Sequence, residues 1–278
     1  MKRRHLLITG SLIIGIMIVV LCSCDLITTD KDRFFVYEDN YLTMIDIEKT
    51  GPDIVVPEKV GDNVIRTIYL EGSYFSKIDS IDVSNVSELE SFTLELWGGG
   101  SYSKLKSLDF SKNKKLRHVT INKAKALEEI TFNEDCKSIG LYNTSVKELD
   151  FKLLKKLEDF SYWNGPLESI DLSNNTNLDQ VWIKNANIKT VDIKMLKKLK
   201  YFIYRSGPLE EIDISNNSDL KTVKVFDSNV KVLDVSNNPK LERIEVDEGT
   251  EIIGETNAEI KYWTKEDIEK WEELRKND

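Results

Sequence analysis

Apolar positions recur along most of this chain in two short alternating patterns. The first reads L-x-x-Φ-x-Φ, with Φ apolar, as in Leu178, Val181 and Ile183; the second reads Φ-x-x-Φ-D-Φ, as in Ile188, Val191, Asp192 and Ile193. Alternation over such short runs, rich in Val and Ile, predicts strands with one buried face. Too few residues separate the two runs for an apolar helical period, so each unit is expected to be two short strands joined by turns. The opening positions are Leu89, Leu116, Leu157, Leu178, Leu199, Leu220 and Leu241, with Cys136 in the slot between Leu116 and Leu157. Their spacings are 27, then 20, then 21 five times, and the long first interval holds a glycine-rich insertion around 96–103. A fixed period of this kind predicts a solenoid, here of about eight coils.

A coarser period lies on top. LESIDLSNN at 167–175 returns as LEEIDISNN at 209–217, and FKLLKKLEDF at 151–160 returns as IKMLKKLKYF at 193–202, each 42 residues later. Two unlike coils therefore alternate, one with a Ser-Asn-Asn corner and one with a Leu-Lys-Lys corner, as duplication of a two-coil block would produce. Asn tolerates left-handed backbone and hydrogen-bonds local backbone. Equivalent Asn side chains in successive coils are also expected to bond to one another as a ladder.

The LxxLxL stretch followed by LxxLDLSxN resembles a bacterial leucine-rich repeat. Upstream, GPDIVVPEKVGDNVIRTI at 51–68 resembles the leading segment of BspA-like leucine-rich-repeat proteins. The Asn at the exit of the first strand is irregular, with Asn164, Asn185 and Ser206 in nearby slots. The resemblance implies a β-rich leucine-rich-repeat solenoid in a surface or secreted protein whose repeats bind other macromolecules.

An open solenoid exposes apolar core and strand edges at both ends. Phe34–Tyr37, Tyr41–Ile45, 54–56 and 64–68 predict a small N-terminal β cap. Thr264 reads as a helix N-cap with Asp267 at the capping-box position, and Ile268, Trp271 and Leu274 form one stripe. That stripe is expected to be a lid over the last coil. The expected division is a signal at 1–23, a tether at 24–33, the β cap at 34–75, the solenoid at 76–250 and a C-terminal cap with a helix at 251–278.

The N-terminus reads as an address. Lys2, Arg3 and Arg4 precede an apolar run from Leu6 to Leu21, the composition of an export signal. Leu21-Cys22-Ser23-Cys24 then resembles the bacterial lipobox, which implies that Cys24 becomes the first mature residue and carries lipid. Cys136 is left as the remaining thiol and is expected to fill the core. The formal net charge is −9, and the three basic residues of the leader leave −12 from Cys24 onward. A basic footprint for nucleic acid is missing.

Candidate chemistry lies in two places. Asp82, Asp109, Asp150, Asp171, Asp192, Asp213 and Asp234 form an outward column in which like charges would stack about 4.8 Å apart. Lys147, Lys189 and Lys231 are expected to relieve it, so the column reads as scaffold, with a cation site as the lesser alternative. A uniform exposed row lacks the unequal pair of carboxylates that glycoside cleavage needs. His118 has no partner spacing, and no phosphate loop or metal cluster appears, so no enzyme, metal or cofactor is expected. The outward positions of the first strand are more informative. Tyr142, Trp163, Trp182, Tyr201, Ile203 and Phe226 gather on the middle coils, with Lys184 and Arg205 among them, a composition typical of contact surfaces.

The expectation is a lipid-anchored bacterial cell-envelope protein, with the outer membrane or cell surface favoured. It binds a macromolecule through Tyr142, Trp163, Trp182, Tyr201, Ile203, Arg205 and Phe226. A protein partner is favoured, as in adhesion, and polysaccharide comes second. A structural or assembly component of the envelope is the alternative class.

Overall fold

The computed structural model describes residues 27–29, 33–37, 40–96 and 103–275. The export segment with Cys24 and most of the glycine-rich insertion lie outside these residues. A 13-stranded sheet runs the length of the molecule. Every neighbouring pair in it from Tyr41–Ile45 to Glu259–Trp263 is parallel. Asp159 lies opposite Gln180, Gln180 opposite Tyr201 and Tyr201 opposite Thr222, a step of 21 residues per coil. The same register, carried two residues back, places Leu157, Leu178, Leu199 and Leu220 over one another, each 0% exposed. Burying each such leucine stabilises by about 2 kcal/mol, and a single coil alone has nothing to bury it against. The solenoid has about nine turns. One more than the leucine count arises because the strand Thr67–Glu71 already stacks in parallel ahead of Leu89.

The opposite side of each coil is less regular than expected. Among the described residues, ladders form there only between Asp53–Val55 and Ser80–Asp82, Ser107–Asp109 and Glu129–Thr131, and Val232–Asp234 and Glu251–Ile253. In the middle coils single backbone bonds replace the ladder, such as Asn187 N–H to Leu167 O at 2.8 Å and Glu210 N–H to Lys189 O at 3.0 Å. Pro166 and Pro208 cannot donate at their own positions. The next N–H, that of Leu167, is taken by the Tyr162 hydroxyl at 3.0 Å. That hydroxyl donates to Val146 O at 2.8 Å, and Tyr204, 42 residues on, donates likewise to Ile188 O at 2.8 Å.

The corner asparagines act differently from the expected amide ladder. Asn175 is fully buried and its Nδ2 donates to Phe151 O at 3.0 Å and Leu154 O at 2.8 Å, both backbone atoms of the preceding coil. Asn217 and Asn238 repeat the arrangement. The left-handed backbone lies instead at the strand exits, where Lys123, Asn143, Asn164, Asn185, Ser206 and Asp227 all have φ between 48° and 62°. An amide ladder does form at these exits: Asn143 donates to Asn122 Oδ1 at 3.0 Å, Asn164 to Asn143 Oδ1 at 3.1 Å, and Asn185 to Asn164 Oδ1.

At the front, Phe34–Tyr37 pairs antiparallel with Tyr41–Ile45 and covers the first edge of the parallel array. Ile27–Thr29, within the stretch expected to be only a tether, pairs antiparallel with residues 34–36. At the back, the capping box is present: Asp267 N–H donates to Thr264 Oγ1 at 3.1 Å and Thr264 N–H to Asp267 Oδ2 at 3.1 Å. The helix it opens, Lys265–Arg275, is not the lid that its stripe predicts. Ile260 and Tyr262 stand opposite the core residues Ile244 and Val246 yet remain 38% and 47% exposed. The capped turn at Thr264 sends the helix back across the outward strand face, where Trp271 meets Lys184 and Arg205.

Candidate functional site

Alternation along each strand presents three outward positions per coil, and the parallel register aligns them into rows. One row runs Tyr142, Trp163, Lys184, Arg205 and Phe226; the next runs Gly140, Ser161, Trp182, Ile203 and Lys224. The residues singled out from the sequence are thus brought together on one face. Tyr142, Trp163, Trp182, Tyr201, Ile203 and Arg205 are all half-buried rather than freely projecting. Tyr142 and Trp163 have ring centroids 4.8 Å apart, and Trp163 stacks on Trp182 at 6.5 Å with 4° between the planes. Tyr142 folds over Gly140, where a Cβ would lie 2.7 Å from its hydroxyl. Burial raises its pKa.

Phe226 departs from expectation. It is only 4% exposed, because Trp263 from the last strand stacks on it at 4.6 Å with 10° between the rings. It forms floor, not exposed surface. Trp263 in turn donates its indole N–H to Glu245 Oε2 at 2.9 Å. Glu245, 3% exposed, also receives Lys224 at 2.9 Å and Arg243 Nε at 2.6 Å. Burial is the largest influence on this carboxyl and acts to raise its pKa. The hydrogen bonds from Lys224, Trp263 and Arg243 and the charge of Lys224 together outweigh it, and the pKa is lowered.

A cleft of about 480 Å³ lies between this face and the returning helix, bounded by Trp163 and Trp182 at one end and Trp263 at the other. Its described lining carries five basic side chains, Lys184, Arg205, Lys224, Arg243 and Lys261, against the single acid Glu245. Trp271 closes it from above, its ring centroid 3.9 Å from the Arg205 guanidinium carbon and 5.0 Å from Lys184 Nζ. The Trp182 indole N–H is shielded from solvent and has no acceptor among the described residues. Sequence reasoning found the aromatic rows but not the convergence of the cations. Lys224, Arg243 and Lys261 carried the signal, being outward positions of successive strands.

The aspartate column behaves as scaffold. In each of the seven aspartates from Asp82 to Asp234, Oδ1 accepts the backbone N–H two residues on, at 2.8–3.0 Å; the coil between Asp109 and Asp150 has Thr131 in that slot. Lys194 reaches the column, 3.3 Å from Asp213. After the hydrogen bonds from Ser84 and Ser173, the charges of Lys112 and Lys152 help to lower the pKa of Asp82 and Asp171. The expected Lys147, Lys189 and Lys231 form no ion pair with the column among the described residues. Cys136 is fully buried, and burial pushes its thiol up to about 12. No group of three or more potential metal ligands occurs among the described residues.

No family model matches the chain, and no curated protein does. Among solved structures, the functional domain of InlJ from Listeria monocytogenes superposes with a TM-score of 0.53 at 18% identity, over 76% of this chain and 52% of that one. The fold is a leucine-rich-repeat solenoid. This leucine-rich-repeat chain spans about half the length of the InlJ structure. A leucine-rich-repeat protein of Leptospira interrogans gives a TM-score of 0.49 at 14% identity, over 72% of this chain and 62% of that one. No described helix of the repeat protein is long and apolar enough to cross a membrane.

Proposed function

We propose that this is a lipid-anchored bacterial cell-envelope protein that captures another protein on its outward strand face, as an adhesion or interaction module. The observation that carries the reading is the alignment of Trp163, Trp182, Tyr201, Ile203 and Arg205 on one parallel sheet, beside the cleft that Trp271 covers. Aromatic and arginine side chains held by a ladder lose little entropy on binding, which is why they dominate contact energies. The anchor is Cys24, lipidated after removal of the leader. Only Asp25 and Leu26 would separate it from the first described strand, so the β cap would face the membrane and the coils would extend away from it.

Two experiments test the two halves. Trp182→Ala with Tyr201→Ala is expected to abolish capture of the partner recovered by the intact protein while leaving the thermal unfolding profile intact. Unchanged capture would exclude this face. Cys24→Ser is expected to stop incorporation of labelled fatty acid and release the protein from the membrane fraction; retained label would refute the anchor.

A further inference from the structure

The cleft holds a clue to what it takes, because part of the chain already lies in it. The helix Lys265–Arg275 contributes five acids, Glu266, Asp267, Glu269, Glu272 and Glu273, against three bases. It lays one indole, that of Trp271, over Arg205 and beside Lys184. The described lining beneath is the reverse: five bases to one acid, in a chain whose overall charge is −9. An isolated helix of this length is marginal in water, and more than four-tenths of the Tyr262 side chain beside its origin stays exposed. The helix therefore owes its position to this face, through an aromatic–cation contact and opposite charge. Lys224 and Arg243 share the one carboxylate of Glu245. After the hydrogen bonds from Thr264, the charge of Lys261 helps to lower the pKa of the helix's own Asp267, so the face already receives an acidic segment.

We propose that the cleft is the docking site for an acidic protein segment carrying an aromatic side chain, and that the C-terminal helix is its resident stand-in. The inference rests on the binding face described above and names the chemistry of its partner. The partner's ring would displace Trp271 from Arg205, and its carboxylates would meet Lys224 and Lys261. A resident helix at high effective concentration competes with any such segment. It sets an affinity threshold that only a better-matched partner passes, and keeps the rings covered until then.

The test uses the full-length protein and a fluorescent peptide of its own residues 264–278, followed by anisotropy. Trp271→Ala removes the competitor and is expected to bind the peptide at least about tenfold more tightly than the unaltered protein does. Arg205→Glu in the same background is expected to abolish that gain, with Arg205→Gln as a milder variant should the charge reversal disturb folding. Binding should weaken as salt is raised from 50 to 500 mM, roughly as screening of a charged interface requires. A peptide with alanine in place of its tryptophan should not bind. Equal affinity for both forms of the protein, or binding indifferent to Arg205, overturns the proposal. Polygalacturonate binding that depends on Arg205, with no peptide binding, overturns it in favour of an acidic glycan. A captured protein partner that needs Trp182 but ignores Arg205→Gln would sink this inference and leave the face-binding reading standing.

Discussion

The guanidinium carbon of Arg205 sits 3.9 Å from the centroid of the Trp271 ring, which ties the last helix to a strand three places earlier in the sheet. An aromatic–cation contact at a partly exposed site contributes about 0.5–2 kcal/mol. Trp271→Ala is therefore expected to release the helix without loosening the coils. Hydrogen exchange should show loss of protection confined to the amides of 265–275, with the strand amides of 159–226 unchanged. Full protection of the helix in the variant would show that other contacts hold it.

Gly165 and Tyr162 form a second coupled pair. A Cβ at Gly165 would stand 2.2 Å from the Tyr162 hydroxyl and 2.8 Å from Thr144 O, and Gly207 repeats this against Tyr204. Gly165→Ala should destabilise by about 2–3 kcal/mol through overpacking. Tyr162→Phe should cost about 1–3 kcal/mol, because it orphans the buried Leu167 N–H. In the double variant the clash with the hydroxyl is gone, so the combined loss should fall short of the sum by more than about 1 kcal/mol. Thr144 O still blocks full recovery. Simple additivity in urea unfolding would contradict this geometry.

The same repeat that made the fold legible hid part of the site. A register of 21 residues is visible in Leu157, Leu178, Leu199 and Leu220 because burial forces one residue type into one slot. Outward rows follow from the same register, which puts Trp163, Trp182 and Tyr201 on one face. What the pattern does not encode is contact across the row direction. Phe226 follows the outward rule, yet Trp263 reaches over Asp247 to cover it. The helix stripe of Ile268 and Trp271 says that something apolar is met, not which side of the last coil. The aspartate column shows the converse: its carboxylates are spaced for a cation site, but a backbone N–H two residues on takes each Oδ1, a local turn that the recurring Asp-x-Ser already spelled out.

Asn175 tests how much a buried amide contributes. Leu154 and Leu196 occupy the equivalent slot in the neighbouring coils. The two carbonyls that Asn175 bonds also accept local N–H groups, Leu154 N–H to Phe151 O and Leu157 N–H to Leu154 O. Its own Oδ1 is buried with no partner among the described residues. Asn175→Leu should therefore shift stability by less than about 1 kcal/mol, since losing second bonds is offset by apolar burial. Asn175→Asp buries an unpaired charge and should cost several times as much, about 3 kcal/mol or more. Guanidinium unfolding of both variants decides it: a loss for Asn175→Leu as large as that for Asn175→Asp would mean that the two amide bonds matter as much as the buried charge.

Acid sensitivity has two opposed sources, and their signs can be separated. The hydroxyl and backbone N–H of the serine two residues on hold Asp171, Asp213 and Asp234 below the usual carboxylate range. The backbone N–H and hydroxyl of Ser84 do the same for Asp82. Depressed folded values stabilise above the unfolded pKa of about 4, and the contribution is lost as pH falls through the folded values. Asp159 runs the other way. Burial first, then the charges of Asp179 and Glu158, raise its pKa, so its charge destabilises the fold at neutral pH and protonation relieves it. Asp159→Asn keeps an oxygen for Gln180 Nε2, which donates to Oδ1 at 2.8 Å, and supplies an amide donor for Asp179. The variant should melt higher than the unaltered protein at pH 7, with the gain shrinking as pH drops through the raised value and gone below about pH 4, where Asp159 is protonated in both states. Melting curves at pH 7 and pH 3.5 suffice. A variant that is no more stable at pH 7, or whose gain persists at pH 3.5, would mean that the half-buried charge of Asp159 beside Asp179 and Glu158 is not what strains this row.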